Sequence, residues 1–349
     1  MRKFLILLLL PIFAGIASAG SNPSSSTQFL VQNTIIPRFQ TVVHATAEQD
    51  AAWVSFCRNR TQASTGNLRA EFNKVGDAWA SIEFIRIGPA AAELRAERFN
   101  FWLDRKNLAG KALDTLLTST DPKTLEPAAI AGDSVAGQGQ PFLERLLYDD
   151  DALAKLAAKG AEADRRCAVG TAIAHSLSSL ANVIATDWSK PDGAGAAIAA
   201  NKSWGIHFAD ANQAANVMVT DLVNGIEMLK DFKVPMVYHD LANKGAPRLA
   251  EGARSGRSLR DAELNFAGIR AMLDVFMASA PPAQKAKLDA AFADADAKLA
   301  AAEKTKDSEK ELAVLMTAIT SLTALKQTAM DVIPPATGIS LGFNNLDGD

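Results

Sequence analysis

The chain has 349 residues, of which 48% are hydrophobic and 21% charged, and its formal net charge is −3. Removing Arg2 and Lys3, which belong to the amino-terminal segment, from the 36 basic residues leaves 34 against 39 acidic ones. No basic patch of the kind that binds nucleic acid is left, so we expect no nucleic-acid partner.

The amino terminus has the three zones of a secretory signal peptide. Arg2 and Lys3 precede an apolar run over residues 4–13, and small residues end at Ala19. We predict a signal peptide over residues 1–19, a flexible leader over 20–26 and export to the periplasm or cell envelope. No later run approaches about 20 apolar residues, so we expect no transmembrane span after cleavage.

The composition favours helices, because alanine is abundant and only two tyrosines occur. Apolar residues recur every three or four positions from about residue 65 to 87, where Gly88-Pro89 ends the pattern, and again from about 161 to 188. A Pro/Gly-rich stretch follows, and we place a linker at 191–203 between an N-terminal unit, 27–190, and a C-terminal unit, 204–349.

The C-terminal unit contains four predicted helices. The first runs from about residue 204 to 232 and ends before Pro235, and the second opens at Ser258 with a capping box. The others span about 283–304 and 308–332. We predict an all-α fold of two antiparallel helical bundles packed side by side. A short echo between Ile82-Glu83 and Ile226-Glu227 suggests a duplication.

Cys57 and Cys167 are the two cysteines of the chain. Thiols oxidise in the compartment to which the chain is predicted to go, so we predict a disulfide between them, with two buried free thiols as the alternative. Neither lies in a nucleophile motif, which disfavours a catalytic cysteine.

Charged residues near the end of the first helix are candidates for a site. Glu83 and Arg86 are three residues apart and are predicted to meet on an apolar helix face, either as a structural ion pair or in a cleft between the bundles. Arg98 and Trp102 have the spacing for a cation–π stack, which is equally a surface arrangement. The four histidines have no metal-ligand spacing: His44, His175, His207 and His239.

The segment Ser134 to Tyr148 resembles the imelysin family, which was once classed as peptidases. The resemblance extends in order along most of the mature chain, through the following segments: Asp77-Ala78-Trp79, Gly88-Pro89, Arg98 to Asp104, Arg166 to Trp188 and, more weakly, Arg254 to Leu259. It implies a pair of helical bundles, an envelope location and an association with iron uptake.

The resemblance also implies a metal site at a Gly-x-His-x-x-Glu motif. Here the motif keeps Gly139 and Glu144, but Pro141 stands in place of the histidine. Proline has no side-chain donor, and Glu144 alone is one ligand of the several that a metal needs. We therefore expect weak binding of bare divalent metal and place Pro141 in the first turn of a helix.

Our first hypothesis is a non-enzymatic binding or accessory protein of envelope metal uptake, with iron or another metal as cargo, bare or chelated, and envelope transport components as partners. Its cleft between the bundles would draw on eight residues: Glu83, Arg86, Arg98, Trp102, Glu144, Arg254, Ser255 and Ser258. The alternatives are a metallopeptidase, for which the chain offers no histidine pair, and a structural or partner-binding protein with a decayed site.

Overall fold

A computed structural model describes residues 22–305 and 308–342 of the chain. Within these ranges the protein is helical, and pairing of extended backbone is limited to an isolated β-bridge between Trp204 and Phe208. The all-α prediction is confirmed. The predicted signal peptide and the start of the predicted leader lie outside the described residues.

The described residues form fifteen α-helices, joined by short 3₁₀ and π turns. In chain order they are α1 (Pro23–Leu30), α2 (Ile36–Arg58), α3 (Gln62–Ala80), α4 (Arg95–Phe99), α5 (Leu108–Thr118), α6 (Pro127–Gly132), α7 (Gln140–Tyr148), α8 (Ala152–Ala157), α9 (Ala161–Ser189), α10 (Ala194–Ala199), α11 (Ala211–Met228), α12 (Val234–Ala242), α13 (Ser258–Phe276), α14 (Pro282–Lys304) and α15 (Ser308–Thr337).

Helices α2, α3 and α9 pack together around the apolar stripes that the sequence predicts. The end of α2 meets the start of α9, where Cys57 and Cys167 form a disulfide with their Cα atoms 5.6 Å apart. At the opposite end of the same pair, Phe39 stacks against Trp188. The two helices are therefore antiparallel, and the predicted disulfide is confirmed.

Helices α11 to α15 form a second packed group, in which α14 and α15 make a helical hairpin. Its core is apolar, with Met218, Leu222, Phe266, Leu273 and Phe292 buried. Helix α13 also packs against α3, which brings the two groups side by side. Helices α9 and α15 are long and apolar enough to span a membrane. In α9 the apolar side chains are buried in the protein core, which accounts for their apolar character.

Two π turns of the chain each precede a proline. Residues Val31–Ile35 form a π turn just before Pro37, and Leu229–Lys233 form one just before Pro235. A proline ring clashes with the carbonyl four residues earlier in an α-helix, and the wider π turn relieves that clash. Contrary to the sequence prediction, the chain therefore stays helical through Pro235 into α12.

The structure also differs from the predicted leader and linker. Helix α1 begins at Pro23, inside the predicted leader, and Ser24 donates a hydrogen bond of 2.5 Å to Asn212 of α11. The predicted linker contains α10, whose Ala194 and Ile198 are fully buried. Small apolar side chains explain this, because they let α10 pack closely on its neighbours. The division of the chain into two independent units stays a prediction.

Candidate functional site

A small cavity lies where α3, α7 and the loop before α13 meet. We call it the motif cavity, after the predicted motif of α7, and it encloses about 80 Å³. Its polar lining comes from both packed groups and includes Glu83, Asn100, Asp104, Glu144, Arg145, Arg248, Glu251, Arg254, Ser255, Arg257 and Asp261. That volume admits a few water molecules or a small anion, since water occupies about 30 Å³.

The motif glycine and proline fix the start of α7. Gly139 has φ of +87°, and a Cβ there would collide with the backbone carbonyls of Arg98 and Phe99. Pro141 occupies the first turn of α7, as the sequence predicts, where its missing N–H costs little. Together they aim Glu144 inward, and this side chain is only 5% exposed.

Glu144 is held by the loop before α13. The backbone N–H of Ser255 donates to Glu144 Oε1 at 2.9 Å, and the Ser255 hydroxyl donates to the same oxygen at 2.7 Å. Buried carboxylates need such donors, because an unpaired one loses its hydration without compensation. The glutamate of the motif thus connects the two packed groups.

Positive charge collects at one side of the motif cavity. Arg254 binds Asp149 at 2.5 Å, and Arg145 reaches the other oxygen of Asp149 at 3.4 Å. The exposed Arg248, on the same cavity, donates to the backbone carbonyl of Ala253. Burial and the nearby charge of Arg254 lower the pKa of Arg145. We call Arg145, Arg248 and Arg254 the arginine rim; the nearby carboxylates of Asp149 and Asp104 offset part of its positive charge.

A buried charge cluster, made of Glu83, Lys233, Glu251, Asn100 and Asn265, closes the opposite side. Lys233 forms ion pairs with Glu83 and, at 2.5 Å, with Glu251. Asn100 donates to both glutamates, at 3.2 Å to Glu83 and 2.5 Å to Glu251, and Asn265 donates to Glu83 at 3.0 Å. Lys233 is 6% exposed, so its charge depends on these carboxylates.

The pKa values of the two glutamates in the cluster are shifted in opposite directions. Burial alone would raise the pKa of Glu83, but the ammonium of Lys233 outweighs burial and lowers it to about 2. Burial, together with the negative charge of Glu83, raises the pKa of Glu251. Burial opposes the charge of Lys233, yet the two carboxylates hold its pKa above the usual range. The charge of Lys233 therefore outweighs burial at Glu83 but not at Glu251.

The sequence was compared with models of known protein families. The model of the family described as imelysin, whose label also contains the word peptidase, matches residues 35–329. The chain belongs to the imelysin family.

Two solved structures have a similar fold. One is an imelysin-like protein from Psychrobacter arcticum 273-4, with a TM-score of 0.72, 19% identity and coverage of 92% of this chain and 97% of that one. The other is described as an iron-regulated protein A precursor from Parabacteroides distasonis ATCC 8503, with a TM-score of 0.72, 14% identity and coverage of 90% and 95%. Comparison with curated proteins gave no match.

The structure brings together five of the eight predicted site residues of this imelysin. Glu83, Trp102, Glu144, Arg254 and Ser255 all line the motif cavity. The Trp102 indole N–H donates to the carbonyl of Leu249 at 2.9 Å, which joins the 100–104 segment to the loop before α13.

The predicted pairing of Glu83 with Arg86 is wrong. Helix α3 ends at Ala80 rather than near residue 87, so the helical spacing no longer applies at these positions. Glu83 turns inward to Lys233, whereas Arg86 is exposed and pairs with Glu97 at 3.0 Å. Arg86 lines a different cavity, described below.

Arg98 and Ser258 do not reach the motif cavity. Arg98 donates to Gln138 at 3.0 Å, and α4 ends at Phe99, which removes the helical spacing needed to stack Arg98 on Trp102. Ser258 begins α13 without a side-chain cap, so the predicted capping box is wrong. Its neighbour Arg257 lines the cavity instead.

Arg257 is one of several site residues that sequence reasoning missed. It binds Asp77 and Asp261 at 2.6 Å each, and Gly76 leaves space for it, since a Cβ there would lie 2.5 Å from the guanidinium. Lys233 and Glu251 were also missed. A lysine within an apolar helical pattern just before Pro235 was the available signal for Lys233. Nothing local distinguishes Glu251.

The residues present do not fit a bare metal ion in the manner of the family motif. Across the described ranges, no group of three or more histidine, cysteine, aspartate or glutamate side chains is arranged to hold a metal. Pro141 offers no donor, and Ser255 donates two hydrogen bonds to Glu144. Pro141 stands where the family motif has histidine, as the sequence shows, and the guanidinium groups of the adjacent arginine rim repel cations.

Proposed function

We propose that this chain is an exported, non-enzymatic binding protein of iron-related envelope transport, which holds an anion or the anionic face of a metal chelate at the arginine rim. The convergence of Arg145 and Arg254 on the single carboxylate of Asp149 is the observation that carries the proposal. Guanidinium groups pair with carboxylates and phosphates through two parallel hydrogen bonds.

Charge and size both support an anionic group. The exposed Arg248 adds a third guanidinium, and its recorded acceptor is a neutral carbonyl. The motif cavity is too small for a whole metal chelate at about 80 Å³, but it admits one carboxylate of such a ligand while the rest stays at the rim.

Export and a link to iron rest on the disulfide, on the predicted signal peptide and on family membership. One structural neighbour is described as an iron-regulated protein A precursor, and that description is the source of the link to iron. A metallopeptidase role is not favoured, because catalytic zinc needs about three protein ligands and the motif retains one.

Calorimetry on the mature protein tests the proposal with ferric citrate, citrate alone, zinc and ferrous iron. We expect ferric citrate or citrate to bind and the bare cations to bind weakly. Arg254→Gln should weaken binding by roughly tenfold or more, the cost of about 1.4 kcal/mol. Arg98→Gln is the matched control, since Arg98 binds a neutral glutamine outside the cavity.

A Pro141→His variant tests the metal argument directly. It restores the histidine of the motif, and we expect zinc to bind more tightly to it than to the unmodified chain. Tight stoichiometric zinc binding by the unmodified chain would revive the metallopeptidase hypothesis. No binding of any of the four solutes would favour a structural role.

A further inference from the structure

A second cavity, much larger than the motif cavity, lies between α11 and the segment from Phe84 to Glu97. It encloses about 810 Å³, which is within the range of about 300–1,000 Å³ typical of small-molecule sites. The buried charge cluster forms its inner wall, and residues Ser340 to Gly342 form part of another wall. No residue of the Gly139 to Glu144 motif lines it, so the proposed function leaves it unexplained.

The second cavity has apolar surface on walls that also carry polar and charged side chains. Phe84, Leu94, Val217, Met228 and Leu341 line it. Leu94 is 57% exposed and leaves an apolar contact open at the cavity. Such walls suit a ligand with an apolar body, because covering this surface removes it from water.

Asp221 is the acidic group in this cavity without a cationic partner. Its carboxylate accepts a hydrogen bond from the backbone N–H of Arg86 at 2.8 Å. The guanidinium of Arg86 pairs instead with Glu97 at 3.0 Å. No ion pair to Asp221 is found among the described residues, and its surroundings are desolvated.

The charges of the cavity leave a negative excess around Asp221. Four acids line it, namely Glu83, Glu97, Asp221 and Glu251, against the two bases Arg86 and Lys233. Lys233 is enclosed by Glu83 and Glu251, and Arg86 is paired with Glu97. The charge of Arg86 acts on Asp221 from a distance and opposes the effect of burial, but it forms no ion pair with Asp221.

We propose that the second cavity binds a small organic cation, a primary amine with an apolar body, whose ammonium pairs with Asp221 while its body packs on Phe84, Val217 and Met228. A carboxylate in a desolvated cavity gains more from an ammonium than one in water, because the low dielectric strengthens their attraction. An anion is disfavoured by the same excess charge. A bare metal ion is disfavoured because the described acids of the cavity form no ligand cluster.

Dansylcadaverine, a primary amine attached to a fluorescent aromatic body, is the probe for this proposal. Its fluorescence titration at pH 8 is compared with those of dansylamide, which lacks the amine, and dansylglycine, which carries a carboxylate. We expect dansylcadaverine to bind at least tenfold more tightly than either, about 1.4 kcal/mol or more.

Two variants locate the site. Asp221→Asn keeps an acceptor for the Arg86 N–H but removes the charge, and it should weaken dansylcadaverine binding by roughly tenfold without affecting dansylamide. Val217→Trp narrows the cavity where the body of the probe is expected to pack and should weaken binding of the probe. Asp274→Asn, the same change on the exposed surface of α13, and Glu144→Gln in the motif cavity should leave the titration unchanged.

Several outcomes would overturn the proposal. They are no binding of dansylcadaverine to the unmodified chain, equal binding of the three dansyl compounds, and full binding by a folded Asp221→Asn or Val217→Trp variant. Circular dichroism checks folding. If Asp221→Asn does not fold, the comparison of the three compounds on the unmodified chain and the Val217→Trp variant still decides. Glu144→Gln separates this site from the proposed anion site, because Glu144 lines the motif cavity and not the second cavity, whereas the buried charge cluster is a wall of both.

Discussion

Ser255 donates both its backbone N–H and its hydroxyl to a single oxygen of Glu144, at 2.9 and 2.7 Å, across the boundary between the two packed groups. The motif glutamate therefore acts as a structural tie as well as a wall of the motif cavity. These contacts give Glu144 a structural role that does not depend on the histidine that Pro141 replaces.

Ser255→Ala should destabilise the fold by about 1–2 kcal/mol, because it leaves a buried carboxylate with one donor fewer. Glu144→Gln should cost a similar amount, and the double variant should cost less than the sum, since the two residues interact. Urea unfolding measures all three. Ser258→Ala is the control, with an expected change within about 0.5 kcal/mol. Additive costs would show that the pair contributes no coupling.

Lys233→Met should destabilise the protein by about 3–5 kcal/mol, because it leaves Glu83 and Glu251 buried without a counter-charge. Adding Glu251→Gln to that variant should recover part of the loss by removing one of the two charges. Chemical denaturation measures both. Lys230→Met, which affects an ion pair with the exposed Asp231, should cost about 1 kcal/mol or less. A small loss at Lys233 would contradict the cluster's role.

Asp221→Asn should change how stability depends on pH. Burial raises the pKa of Asp221 to about 7, well above the usual range of an aspartate. The folded state therefore holds a proton that the unfolded state releases, and this contribution is full below about pH 4 and is lost as the pH rises to about 7. Thermal melts from pH 5 to 8 should show the unmodified chain losing stability relative to Asp221→Asn. Parallel curves would contradict the raised pKa.

Reduction of the Cys57–Cys167 disulfide should lower stability by about 4–5 kcal/mol in the chain-entropy model, because the bond closes a loop with a sequence separation of 110. Melting curves with and without dithiothreitol measure the loss. A Cys57→Ser/Cys167→Ser variant should melt like the reduced protein and be insensitive to dithiothreitol. Identical melting before and after complete reduction would argue that the loop is fixed by packing alone.

Long periodic helices and the disulfide could be predicted from the sequence. The apolar stripe over residues 161–188 matches α9, which spans Ala161–Ser189, because a long amphipathic pattern overrides local detail. The disulfide follows from export and two cysteines. The helix boundaries were less predictable, since α3 stops at Ala80 while the apolar pattern continues into a turn.

The candidate site could be predicted only in part. Glu144 and Ser255 come from the family motif and its weaker continuation, but their contact joins residues 111 positions apart. The pairing of Glu83 with Lys233 spans 150 positions and depends on how α3 meets α13 and the π turn before α12. Local periodicity carries no information about contacts between residues so far apart in the sequence. Charged residues on an apolar face could therefore be identified from the sequence, but the partners of these residues could not.

The π turn at Val31–Ile35 joins α1, which packs on α11 and α13, to α2, which packs on α3 and α9. The chain therefore crosses between the two groups here by a continuous helical rod, in addition to the crossing near α10. Two attachments at separate points resist rotation in a way that a single hinge does not. Widening the motif cavity by rigid-body motion must bend this rod, and the π turn, with its looser hydrogen bonding, is the place where the rod gives way first.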